Sequence, residues 1–135
     1  YTIEVHTLSD MDTLIRNLLR SVVDYSFYFQ NIGHFMADEE LKQNEFFSSD
    51  IIRQNFLQGL EQLVKEGYFK PLFTPELART MGNFMLLSHY SWAQYTILSG
   101  EDQSTALARF TCEHWTVLAP YFSEKGAAEF DALAK

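Results

Sequence analysis

From Pro75 to Ser99 the chain reads PELARTMGNFMLLSHYSWAQYTILS, and between Thr80 and Gly100 it carries no Asp, Glu, Lys or Arg. Thr74 is a helix N-cap followed by proline at the first helical position, and Gly100 is a stop signal. A helix over this span is about 37 Å long at 1.5 Å per residue. An uncharged run of that length imitates a membrane span. Asn83, Ser88, His89, Ser91 and Gln94 are nevertheless spread around it, which predicts cover by protein and not by lipid. The helix has two usable faces. Ala78, Met81, Met85, His89, Trp92 and Thr96 make one, and Asn83, Leu87, Tyr90, Gln94 and Leu98 make the other. Both must be covered, and one short domain has few helices with which to do it. A second subunit is the natural cover.

Before this helix, Ile52, Phe56, Leu60 and Leu63 form the stripe of another, running from Phe47 or Ser49 to Glu66 and closed by Gly67. Gly59 lies beside that stripe; a mid-helix glycine costs about 1 kcal/mol relative to alanine, so it marks a close helix contact or space for a ligand. Further back, Met11, Leu14, Leu18, Val22, Tyr25 and Phe29 line one face of a first helix capped by Ser9 or Asp10 and reaching Gln30, with Asp12, Arg16 and Arg20 opposite. From Val23 to Phe27 the polar face also turns apolar, so this helix ends enclosed on both sides. Residues Ala37 to Lys42 suggest one short helical segment. Tyr1 to Leu8 alternate weakly, begin without an initiator methionine, and read as a leader whose N-terminal part is missing. After Gly100, Asp102 caps a helix from Gln103 to Leu118 with the stripe Ala106, Phe110, His114, Val117 and Tyr121. Pro120 ends it, and the Ala-rich tail from Ser123 predicts a weak terminal helix carrying Phe130 and Leu133.

The fold class is therefore all-α, a bundle of about five to six helices in one domain spanning 1–135. With 12 Phe and 7 Tyr in a chain that is 16% aromatic, part of the aromatic surface is expected to line a pocket or a partner interface. The formal charge of −8 disfavours nucleic-acid contact by these residues. Cys112, the one cysteine, excludes an internal disulfide and fits a reducing compartment.

Catalytic chemistry finds little footing. Glu113 and His114 are adjacent, so their side chains diverge by about 100° on a helix and cannot share a metal. His6, His34, His89 and His114 sit on different segments, with no second histidine three or four residues away. There is no phosphate loop or nucleophile elbow. No metal, cofactor or catalytic residue is assigned. The alternative kept open is a helical-bundle enzyme or cofactor-binding protein using His89 or His114.

Three phrases carry a resemblance. They are Thr7-Leu8-Ser9-Asp10; Asp24-Tyr25-Ser26-Phe27-Tyr28-Phe29-Gln30-Asn31-Ile32; and Leu63-Val64-Lys65-Glu66-Gly67-Tyr68-Phe69-Lys70, followed by Asn83-Phe84-Met85 and Trp92. In this order they resemble the C-terminal regulatory domain of TetR-type bacterial transcriptional repressors, over roughly Leu8 to Tyr121. The resemblance implies a non-enzymatic, cytoplasmic homodimer that binds a small apolar or aromatic effector and joins its partner through a four-helix bundle. It further implies that DNA is bound only through a helix-turn-helix domain absent from this chain, and that the effector tilts the first helix to change the spacing of those domains. The expected ligand-binding residues are Tyr25, Phe29, Phe56, Met85, His89 and Trp92. The expected dimer interface is Leu87, Tyr90, Gln94, Leu98, Phe110 and His114.

Overall fold

In a computed structural model, the backbone is described over residues 3–24 and 49–133, and the side chains over the same residues except 22–24, 49–52, 90, 93, 94 and 97. Five α-helices follow one another in these segments: α1 (Leu8–Asp24), α2 (Ser49–Lys65), α3 (Pro75–Ser99), α4 (Gln103–Leu118) and α5 (Glu124–Leu133), with one 3-10 turn, Ala119–Tyr121, between the last two. The bundle is all-α, as expected. The continuation of α1 to Gln30 and the segment from Ala37 to Lys42 lie outside the described residues.

Helix limits follow local chemistry. Thr74 accepts the amide of Leu77 at 3.1 Å ahead of Pro75, and Gly100 closes α3 in the left-handed region at φ 68°. Asp102 accepts the amide of Thr105 at 3.1 Å to open α4. Gly67 ends the α2 turn at φ 85°. At the start of α1 the cap is Thr7 and not the expected Ser9 or Asp10. Thr7 Oγ1 accepts the amide of Asp10, while Asp10 Oδ2 reaches back to the amides of His6 at 2.9 Å and Thr7 at 3.1 Å. This reciprocal arrangement is a capping box with Asp at its far position.

The core gathers Leu8, Met11, Leu14, Ile15 and Leu19 of α1 against Phe56, Leu60 and Leu63 of α2, Ala78, Met85 and Trp92 of α3, and Trp115 and Leu118 of α4. α2 lies along α3, and α1 packs on α2, α3, α4 and α5. The α2–α3 approach needs Gly82: a Cβ there would meet Leu57 Cδ2 at 2.5 Å and Leu60 Cδ1 at 3.0 Å. Gly59 serves a close contact, as one branch of the expectation held. Its missing Cβ leaves room for Met11 Cε and Val5 Cγ2, which it would meet at 2.9 and 3.1 Å. Val5 is thereby buried and Asn55 bonds both the amide and the carbonyl of Ile3, so the segment read as a leader packs into the domain.

The terminal helix also exceeds its expectation. Phe130 packs on Trp115 and Phe122 at ring-centroid distances of 5.6 and 5.4 Å, and Glu129 accepts the amide of Leu8 at 3.2 Å. Beneath it, the chain after α2 pairs with the 3-10 turn: Lys70 donates its amide to Tyr121 O at 2.8 Å, and Ser123 to Tyr68 O at 3.0 Å.

Candidate functional site

The polar centre of the bundle is built by α3 and α4. His89 and His114 are buried, and their Nε2 atoms stand 3.0 Å apart. His114 Nδ1 lies 2.9 Å from the carbonyl oxygen of Phe110. A carbonyl only accepts, so Nδ1 carries the proton; in the neutral ring Nε2 is then bare and accepts from Nε2–H of His89. Tautomers are thus assigned from the bonding pattern. Burial, and secondarily the neighbouring His114, pushes the His89 pKa down to about 3. Burial also lowers that of His114, with the Phe110 carbonyl acting in the opposite direction. Both imidazoles are therefore neutral near pH 7.

Aromatic rings enclose the pair. Phe56 of α2 meets His89 edge-on at 6.3 Å, Phe110 meets His89 at 6.2 Å and His114 at 4.8 Å, and Trp92 stacks on Phe110 at 5.4 Å. Three of the helices thus contribute to one aromatic centre. Trp92 is 3% exposed, and its indole Nε1 finds no acceptor among the described residues. The other indole behaves differently: Trp115 Nε1 donates to Asp12 Oδ1 at 2.7 Å and ties α4 to α1. Asp12 also binds Arg16 at 2.8 Å, so the residue placed on the outer face of α1 is a cross-helix acceptor.

Of the expected ligand-binding residues, Phe56, Met85, His89 and Trp92 are all buried, and Phe56, His89 and Trp92 belong to this centre. Tyr25 and Phe29 lie outside the described residues, as do the side chains of Tyr90 and Gln94. Leu87 and Leu98 are exposed on the opposite side of α3. Of the two α4 residues read from sequence as subunit contacts, His114 is buried and Phe110 half-buried, and within the chain their i,i+4 spacing pairs them with His89 and Trp92 of α3. Val117, assigned to the inner stripe of α4, is exposed; Thr111, Trp115 and Leu118 are buried in its place. Sequence reasoning missed Phe84 and Tyr95, which continue the exposed apolar face of α3. Their signal was the three- and four-residue spacing from Leu87, Ser91 and Leu98.

The outer surface near Tyr95 carries charge. Arg109 binds Glu101 at 2.9 Å and Glu113 at 2.8 Å, and its guanidinium lies 5.9 Å from the Tyr95 ring centroid. Such exposed pairs contribute little stability. Among the described residues no cluster of three or more His, Cys, Asp or Glu has metal-binding geometry, and no helix is long and apolar enough to cross a membrane.

The described residues form an all-α bundle whose interior, among those residues, is aromatic, histidine-bearing and without a buried Lys, Arg, Asp or Glu. The model of the TetR family, described as bacterial transcriptional repressor, matches residues 2–130. The chain belongs to that family of transcriptional regulators. No curated protein and no solved structure matches it.

Proposed function

We propose that this chain is the ligand-sensing and dimerisation domain of a cytoplasmic TetR-like repressor, in which a small apolar or aromatic effector shifts the DNA affinity of a helix-turn-helix domain that these residues do not include. The observation that carries this reading is the division of α3 into two apolar faces. The inner face holds Met85, His89 and Trp92. The outer leaves Phe84 71%, Leu87 64%, Tyr95 57% and Leu98 86% exposed. Four large apolar side chains along one helix exceed what scattered surface residues require, and with Ser91 between Leu87 and Tyr95 they follow a three- and four-residue spacing that suits helix-on-helix packing. In a two-fold dimer the same face of each copy meets its counterpart.

The inner face supports the sensing half of the proposal. Phe56, His89 and Trp92 converge from α2 and α3, and the bond from Trp115 to Asp12 gives α1 a direct tie to α4. A ligand that repacks the centre would thereby bias the position of α1 relative to the dimer helices. The same geometry disfavours the alternative of an enzyme or cofactor protein using His89 or His114, because each imidazole occupies the other's Nε2.

A thermal-shift screen with apolar and aromatic compounds tests the sensing half. A compound at 100 times its dissociation constant stabilises the folded state by about 2.7 kcal/mol. Silence across a broad screen would leave a structural dimer without a sensor.

A further inference from the structure

We propose that the effector is an uncharged molecule with an apolar body that presents a hydrogen-bond acceptor, such as a carbonyl oxygen, to the indole N–H of Trp92. The inference rests on the ligand-sensing reading above and specifies what that site would take.

Few polar groups are buried in this bundle, and they can be followed one by one to their partners. Among the described residues these belong to His89, Thr96, Thr111 and His114, together with the two indole N–H groups and the Tyr68 hydroxyl, which is bonded to Glu129. Thr96 donates to Trp92 O at 2.9 Å, and Thr111 to Leu107 O at 2.8 Å. The histidines bond one another, and Trp115 has Asp12. Trp92 Nε1 alone is left without a partner among the described residues. Buried donors are rarely left so, because an unpaired N–H loses its water without replacement. The two tryptophans act as an internal comparison: both are buried, they lie on neighbouring helices, and the described residues supply an acceptor to one and not the other.

The surroundings set the rest of the chemistry. Trp92 stacks on Phe110 and sits one turn from His89, which in turn faces Phe56. These rings favour an apolar body. No buried Lys, Arg, Asp or Glu is found among the described residues, and the bonding pattern makes both imidazoles neutral. A carboxylate or ammonium brought here would lose its hydration with no countercharge. A neutral acceptor loses less and takes the donor left open among the described residues.

Acetophenone, cumene and benzoate test this directly, since they share an aromatic ring and differ in carrying a neutral acceptor, none, or a charge. Nitrogen-labelled protein gives two indole N–H resonances, assigned with Trp92→Phe. The expected result is that acetophenone moves the Trp92 resonance downfield, leaves that of Trp115 in place, and binds roughly three- to tenfold more tightly than cumene. In Trp92→Phe that preference disappears. If cumene binds as tightly as acetophenone and the Trp92 resonance stays put, the acceptor proposal falls while the ligand-sensing reading stands. Tightest binding by benzoate overturns the uncharged assignment. Failure of all three to bind overturns the acceptor proposal, while the sensing reading falls only with silence across the broad thermal-shift screen. Where Trp92→Phe does not fold, Trp115→Phe, which keeps the Trp92 indole, supplies the assignment and the wild-type spectra decide these cases.

Discussion

Acid should loosen this domain well before its carboxylates titrate. The perturbation is protonation of the buried His89–His114 pair, whose Nε2 atoms stand 3.0 Å apart. His89 has a folded pKa pushed down to about 3 by burial and by His114, against an unfolded value of 6.5. The unfolded state therefore binds more protons below the unfolded value. Stability from this group is complete above about pH 6.5 and is lost as pH falls toward the folded value. At about pH 5 the linkage relation gives a loss of about 2 kcal/mol from His89 alone. His114, also lowered, adds in the same direction. Asp10 and Glu66 have lowered values too, but their contributions fade only further into acid, around and below pH 4. His6 opposes the trend, since its bond to exposed Glu4 raises its pKa and favours the folded state below that value. Urea unfolding at several pH values between about 7 and 5 measures the slope. His89→Gln retains a donor for His114 without the titration and should flatten it. A stability independent of pH over this window, or an unchanged slope in His89→Gln, would refute the reasoning.

Other consequences follow from single contacts. Trp115→Phe keeps the ring but removes the donor to Asp12, and should cost about 1 to 3 kcal/mol in urea unfolding, because the acceptor is a partly buried carboxylate. Gly126→Ala would drive a Cβ into the backbone carbonyl of Tyr68 and should destabilise by about 2 kcal/mol or more. Gly59→Ala meets only the flexible end of Met11 and the Val5 side chain, and gains helix propensity, so its net effect should stay within about 1 kcal/mol; equal losses in the two variants would show that backbone and side-chain obstruction had been wrongly separated. Trp92→Ala should weaken ligand-induced thermal stabilisation more than Leu98→Ala, because the two residues occupy opposite faces of α3; equal effects would undo the assignment of faces.

The limits of α3 and α4 were legible because their signals are local: Thr74-Pro75, Gly100 and Asp102 act within a few residues of themselves. The two-faced character of α3 was legible for the same reason, being a matter of helical spacing. What escaped was decided by distant residues. Val5 is buried in space left by Gly59, more than fifty positions away, and a short segment without periodicity gives no sign of that. The inner stripe of α4 was drawn through Val117, whereas burial runs through Thr111, Trp115 and Leu118, because α4 meets α1 as well as α3. His89 and His114 were each identified, but their pairing and the buried, unpartnered indole of Trp92 arise only when α3 and α4 are set side by side. The same packing paired Phe110 and His114 with Trp92 and His89 and left Phe84 and Tyr95 as additional members of the outer face.

The central claim is that this outer face of α3 is where two copies meet, and sedimentation equilibrium of the chain at micromolar concentration tests it most directly. Burying one leucine stabilises by about 1.5 to 3 kcal/mol, and in a two-fold interface each position counts twice. The account predicts a dimer for the native chain and at least a hundredfold weaker association for Leu87→Glu and for Leu98→Glu, with helical content retained. A monomeric native chain, or a dimer untouched by both substitutions, would contradict it.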